Sequence, residues 1–281
     1  MVAISIIIPF FNEETHLEKS VNSLLSQNYN FNELILVDDG STDKSAEIAK
    51  SLQKKHTSVR LVSAKTTSVH QPGQKVVRAF TRGFKALQTS WDVVCKFDAD
   101  IIFPSNYLET VAKAFASDSN LGIFSGVLTI DKKGVWTLEN ISTKHVRGPV
   151  KAYSKPCFSA IGGLRPALGW DTLDELLALH HGFAVKIDDS LRVKHLRPTG
   201  FQYGRSAAKA KGEVFYGLGY GLILGVIASI KWAQSQRGSL LGVLLGFFGA
   251  WLKSKPKLVT EKEGKFIRKY RWSRIRSRFI A

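Results

Sequence analysis

The feature that most restricts the fold is a set of short stretches with no wet face. ISIII (4–8), ELILV (33–37), VRLVS (59–63), DVVCKF (92–97) and LGIFSGVLTI (121–130) are rich in β-branched and other apolar residues and mostly lack a regular apolar–polar alternation. Strands of that kind are covered on both sides, as in a parallel sheet held between helices. Helix-period segments lie between them: 13–27, with Leu17, Val21, Leu24 and Leu25 on one side, then 42–55, 73–89 and 105–117. The repeated strand–helix–strand order predicts an α/β fold, a mostly parallel sheet flanked by helices, and 44% hydrophobic content is enough to fill it. In such sheets ligands bind beyond the carboxyl ends of the strands.

Those ends are acidic. The first strand runs into PFFNEE, the second into VDDGSTD and the fourth into FDAD, which gathers Glu13, Asp38, Asp39, Asp98 and Asp100 along one edge. DDGSTD also reads as a turn and helix start, with Ser41 or Thr42 as the cap. Asp98 and Asp100 are harder to explain structurally, because two unpaired carboxylates beside a buried strand repel unless a cation compensates. Hard oxygen ligands of this type predict Mn²⁺ or Mg²⁺.

IIIPFFNEE, ILVDDGSTDKS, GQKVVRAF and KFDADIIFP, in this order and spacing, resemble the inverting family 2 glycosyltransferases of the GT-A fold over roughly residues 4–200. The resemblance implies that Pro9, Phe11, Glu13, Asp38 and Asp39 line a nucleotide pocket, with Phe11 near the base and Arg78 facing the nucleotide. It makes Asp98-Ala99-Asp100 the DxD motif, binding metal and donor diphosphate. Phe80 departs from the pattern, standing where many members carry Asn.

Inverting transfer needs a base for the acceptor hydroxyl. In GWDTLDELLALHHGF (169–183), Asp171 reads as an N-cap with Asp174 and Glu175 in the first turn, and a helix start alone accounts for these charges. Placed against the family's glycine at Gly182, Asp171 falls at the catalytic base, with Asp174 the alternative and Trp170 replacing the family's usual Glu. By the same resemblance His195 completes the metal shell. Arg147 is either a grip for an acceptor phosphate or a solvated charge.

Charge becomes informative in the last third. Residues 201–281 carry 16 Lys/Arg against 3 Asp/Glu, whereas residues 1–200 carry 24 against 20. Residues 214–230 and 238–252 carry no charge, are rich in glycine, and are short of the roughly 20 residues a spanning helix needs. Lys231 and Arg237 bracket their connection. The pattern divides the chain into a catalytic domain (1–203) and a membrane-associated hydrophobic helical hairpin with a basic tail (204–281), the tail facing anionic lipid. Two cysteines without metal-ligand spacing, and an N-terminal apolar run lacking a basic flank, predict the cytoplasmic face of a membrane. The expected partners are a nucleotide-sugar donor, UDP-linked, and a lipid-linked or glycan acceptor, with no nucleic acid. The alternatives are a nucleotidyltransferase, which lacks its usual Gly-rich basic loop here, and a non-catalytic membrane or nucleic-acid-binding protein, which leaves the carboxylates unexplained.

Overall fold

The computed structural model describes residues 1–63, 73–139, 145–197, 205–236 and 238–277. Lys144, the expected boundary at 203/204, Arg237 and residues 278–281 lie outside them.

Strands β1 (Ile4–Phe10), β2 (Glu33–Asp38), β3 (Val59–Ser63) and β4 (Val93–Phe97) pair in parallel in the order β3-β2-β1-β4. Every residue of β1, β2 and β4 is buried, as their continuous apolar runs require. Alternate residues feed two cores. Ile4, Ile6, Ile8, Leu34 and Leu36 belong to one, with Leu17, Val21 and Leu24 of α1 (Leu17–Leu25) and Ala49 and Leu52 of α2 (Ser45–Lys55). Ile7, Ile35 and Val37 belong to the other, with Val77 and Phe80 of α3 (Gln74–Lys85). Helix α2 begins later than expected, without a side-chain cap. DDGSTD forms a turn in which Asp38 Oδ1 accepts from the Ser41 amide at 2.8 Å.

Beyond β4 the sheet departs from the parallel expectation. After β5 (Ile101–Ile102) and α4 (Tyr107–Ser117) come β6 (Leu121–Lys132), β7 (Val135–Leu138), β8 (Val150–Ser154), α5 (Lys155–Ala160), α6 (Trp170–His180) and β9 (Ala184–His195). β8 is antiparallel to β4 and β6, β7 to β6, and β5 to β9, while β6 and β9 are parallel. β9 is a half-wet strand, with Leu191, Val193 and His195 buried and Arg192 and Lys194 exposed. Its pairing of Ile101 with His195 brings the end of β9 against the DxD segment.

Four helices follow: α7 (Arg205–Gly217), α8 (Leu222–Gln236), α9 (Leu240–Leu252) and α10 (Glu261–Arg276). The uncharged run 214–230 is therefore not one helix but the end of α7, a turn through Gly219 at φ 73°, and most of α8. Helices α7 and α9 meet backbone to backbone. A Cβ on Gly212 would stand 1.9 Å from the Val243 carbonyl oxygen, and one on Gly246 2.0 Å from that of Lys209. Helix α10 starts at a capping box, Thr260 with Glu263. Arg165 grips that same Glu263 through two nitrogens at 2.9 and 2.6 Å. Ala208, Val214, Phe215, Val243, Phe247 and Ile267 share one apolar cluster with Ile7, Phe80 and Leu173, so these helices continue the core of the sheet. Among the described residues no helix is long and apolar enough to cross a membrane. Helices α8 and α9 nevertheless expose Leu222, Ile223, Ile227, Leu241, Leu245, Trp251 and Leu252, Ile223 at 69% and Leu252 at 74%.

Candidate active site

The loop after β1 is stitched to the turn after β2. The Asn12 amide donates to Ser41 Oγ at 3.1 Å, Thr42 donates to Asn12 Oδ1 at 2.8 Å, and Glu13 donates to Ser45 Oγ at 2.7 Å. This holds the half-exposed Phe11 ring beside Asp39, with the Lys75 ammonium 4.7 Å from the ring centroid and 3.6 Å from the Asp39 carboxylate. Arg82 approaches Asp39 from the other side at 3.5 Å. Pro9 is buried within β1, and Asp38 is buried with its Oδ1 closing the turn after β2. Arg78 is exposed and bonds Gln74 at 3.0 Å, leaving Lys75 and Arg82 as the cations of α3 seen at Asp39. Phe80 is 1% exposed among Phe84 and Phe158, which makes it a core residue rather than part of the pocket wall.

Asp98 and Asp100 are not the unpaired charges the sequence suggested. Asp98 pairs with Lys96, which is buried and also donates to the Gly148 carbonyl at 3.1 Å. Asp100 lies 3.7 Å from His195 Nε2 and 3.3 Å from Arg197, which in turn pairs with Glu13. Burial would raise the Asp100 carboxyl, but the His195 hydrogen bond and the charges of His195 and Arg197 hold it below the usual range. Burial would lower His195, yet its bonds to Asp100 and Glu139 keep the proton and push it up to about 9. Glu13 is pushed up to about 7 by burial, with Arg197 opposing and Asp100 and Asp98 adding to the rise.

A divalent metal fits this donor set. Glu13 Oε2 is buried without a hydrogen-bond partner, Asp100 offers hard oxygen, and His195 offers imidazole once its proton leaves. Among the described residues no group of three or more His, Cys, Asp or Glu is arranged as a ready cage.

The second carboxylate set hangs from α6. The helix is capped by Gly169 at φ 77°, a left-handed position suited to glycine, so Asp171 sits in the first turn rather than at the cap. Its side chain is 30% exposed, and its Oδ2 lies 3.5 Å from His145 Nε2, whose Nδ1 is 2.9 Å from Glu175. Burial alone would raise Asp171, but the His145 hydrogen bond and the charges of Lys151, His145 and Arg147 hold it well below the usual carboxylate range. Asp174 differs in kind. It is only 3% exposed, and its oxygens are taken by Lys151 Nζ at 2.7 Å and the Tyr153 hydroxyl at 2.5 Å. Trp170 lies between the two acidic sets, with Lys96 5.2 Å and Lys151 5.7 Å from its ring.

Sequence reasoning missed Lys75, Arg82, Lys96, His145, Lys151 and Arg197. Two of these carried a signal: Lys96 in VVCKF and Lys151 in VKAYS are charges inside otherwise apolar strands, and such lysines need a carboxylate partner.

Residues 5–161 match the family described as Glycosyl transferase family 2. The chain is 30% identical over 141 residues to an uncharacterized glycosyltransferase of Nostoc sp., covering 50% of this chain and 41% of that protein. It is likewise 30% identical over 148 residues to the minor teichoic acid biosynthesis protein GgaA of Bacillus subtilis, covering 51% and 32%. It thus spans well under half the length of these relatives. In fold it is similar to the mannosyltransferase PcManGT from Pyrobaculum calidifontis in complex with GDP-Man and Mn²⁺, with TM-score 0.58, 16% identity, and coverage of 96% of this chain and 84% of that one. It is also similar to S. aureus TarS 1–349 in complex with UDP-GlcNAc, with TM-score 0.59, 16% identity, and coverage of 91% and 76%. These are GT-A glycosyltransferases, and their mixed α/β sheet is the fold seen here. With more than half of its length matched to the family, the chain belongs to glycosyltransferase family 2.

Proposed function

We propose that the protein is an inverting, metal-dependent hexosyltransferase. It moves a sugar from a nucleotide-sugar, UDP-linked, to a hydroxyl of a lipid-linked or polysaccharide-precursor acceptor at the cytoplasmic face of a membrane. The observation that carries this reading is the division of labour between two acidic sets. Glu13, Asp100 and His195 form one, and the water-accessible Asp171 belongs to the other.

The nucleotide lies against Phe11, Lys75 and Asp39, and the diphosphate is directed toward Asp100 and Arg197. Glu13, Asp100 and His195 would hold Mn²⁺ or Mg²⁺, which supplies charge neutralisation for the departing diphosphate. Asp171, kept ionised by His145, takes the proton of the acceptor hydroxyl. The oxygen then bonds to the anomeric carbon as the bond to the diphosphate breaks on the opposite face. Asp174 is unsuited to that step, since both its oxygens are occupied and water does not reach it.

Two relatives support the acceptor class by name. One is GgaA of teichoic acid biosynthesis. The other is a Methanococcus voltae glucuronosyltransferase named for a dolichyl N-acetylglucosaminyl phosphate, 30% identical over 132 residues. The membrane assignment rests on the exposed apolar residues of α8 and α9 together with the basic α10, a complement to anionic lipid. The test is nucleotide release from a panel of nucleotide-sugars with Mn²⁺, with EDTA, and in Asp100→Ala. One donor should turn over with Mn²⁺ and stop in both other arms. Full turnover of that donor in EDTA would refute the metal assignment.

A further inference from the structure

Asp171 and Glu175 stand four residues apart on α6, so their side chains share one face of the helix. His145 spans the gap between them. Its Nδ1 is 2.9 Å from Glu175 Oε2 and its Nε2 is 3.5 Å from Asp171 Oδ2, while the neighbouring Val146 amide donates to the other Glu175 oxygen. A neutral imidazole has one N–H, so it would serve one of these carboxylates and turn a lone pair on the other. The spacing therefore calls for the imidazolium, which donates to both. Burial would lower His145, yet its hydrogen bonds to Asp171 and Glu175 hold the proton and push it up to about 9, with Lys151 opposing. The other charges facing this trio are Lys151, 3.8 Å from Glu175 Oε1 and paired with Asp174, and Arg147, whose charge is felt at Asp171.

The segment that carries His145 is pinned at its other end to β4. Lys96 Nζ donates to the Gly148 carbonyl at 3.1 Å, and the Asp98 amide donates to the Pro149 carbonyl at 3.0 Å. Between these anchors and His145 the backbone runs against the first turn of α6. A Cβ on Gly148 would stand 3.0 Å from Trp170 Cζ2 and 3.5 Å from Asp171 Cβ, so there is little room for a side chain at that point. Residues 145–149 thus touch both Asp98 and the turn that holds Asp171.

We infer that His145, held by Glu175, is the positioning residue for the base: it occupies Asp171 Oδ2 and fixes the carboxylate, so that the acceptor proton passes to Oδ1. The acceptor oxygen keeps the electron pair of its O–H bond and spends it on the new bond to the anomeric carbon, while the diphosphate leaves with the pair of the old one. Residues 145–149 set this carboxylate in register with Asp98 at the end of β4. The inference rests on the reading of Asp171 as base and goes beyond it by naming the two residues that aim it.

Two readouts test it. The first needs no turnover: imidazole ¹⁵N spectra of the full chain with UDP and Mg²⁺, in which the His145 signal is the one absent from His145→Gln. In the unaltered protein it should remain imidazolium until about pH 9, and Asp171→Asn and Glu175→Gln should each bring its titration down toward the ordinary value of 6.5. The remaining histidines report that each variant is folded. A His145 that titrates near 6.5 in the unaltered protein, or that is unmoved by either substitution, overturns the arrangement whatever the donor. The second readout is nucleotide release, with water as acceptor, from the donor that turns over in the panel. His145→Gln should lower kcat by about 10–100-fold and leave the donor KM within about twofold, as expected of a misaimed base beside an intact donor site. If Asp171→Asn cuts release while His145→Gln keeps its kcat, the positioning role is refuted and the base stands. If Asp171→Asn itself keeps full kcat, the base reading fails and takes this inference with it.

Discussion

Replacing Asp171 or Asp174 by Asn separates a reacting carboxylate from a structural one. Asp174→Asn keeps one carbonyl oxygen for either the fully buried Lys151 ammonium or the Tyr153 hydroxyl but not both, and it removes the negative charge 2.7 Å from Lys151, leaving Glu175 at 3.8 Å as the remaining anion. Breaking a buried pair by removing one member costs about 3–5 kcal/mol. For a chain of this size that lowers the melting midpoint by about 6–20 °C. Asp171→Asn keeps the shape and an acceptor for His145 at a site water reaches, so its stability cost is about 1 kcal/mol. Transfer, however, falls by about 10²–10⁴-fold with donor affinity retained, because the basic lone pair is gone. Thermal melts, UDP binding and nucleotide release on the same preparations provide the comparison. If Asp171→Asn melts early while Asp174→Asn keeps its midpoint and loses transfer, the two roles are reversed and the base assignment fails.

The grip of Arg165 on Glu263 has a pH signature. Its hydrogen bond, with the Thr260 amide, holds Glu263 down to about 2 against burial, so this stabilisation is complete above the unfolded value near 4.5 and disappears as pH falls toward 2. Glu263→Gln should therefore lower stability by about 3 kcal/mol at pH 7 and flatten the acid side of the stability curve. An unchanged acid limb by urea titration would refute it. Vesicle sedimentation tests the apolar face: Leu241→Glu/Leu245→Glu should free the protein from anionic vesicles at physiological salt, whereas high salt alone should not. Sedimentation of the double variant with the pellet would place the contact elsewhere. Point substitutions suit this test better than removing residues 262–281, because that deletion strips the fully buried Ile267 from the core.

The parallel half of the sheet was legible because its strands are buried on both faces and read as unbroken apolar runs. The acidic strand ends were legible because unlike elements agreed on one chemistry. The half beyond β4 was less legible: β9 is half-wet, with Leu191, Val193 and His195 alternating with exposed Arg192 and Lys194, and the buried β8 carries Lys151 in a short run, while pairing direction leaves no mark in either. Arg197 and Lys75 gave no pattern, since a cation becomes part of a site through contacts across 184 and 36 positions that spacing does not encode. The run 214–230 misled because absence of charge marks burial but not continuity, and Gly219 breaks the helix inside it.

The glycine contact between α7 and α9 has a mechanical consequence. Where Gly212 meets the Val243 carbonyl and Gly246 meets that of Lys209, no side chains stand between the backbones to take up slack by changing rotamer. The two helices act as a stiff strut. A tilt imposed on the apolar rim of α9 therefore passes to α7, whose Val214 lies against Gly169 at the start of α6. On the proposed reading of a lipid-linked acceptor, such a strut sets a fixed height, so that an acceptor hydroxyl meets Asp171 at one distance from the surface and the helix pair acts as a ruler for acceptors of different length.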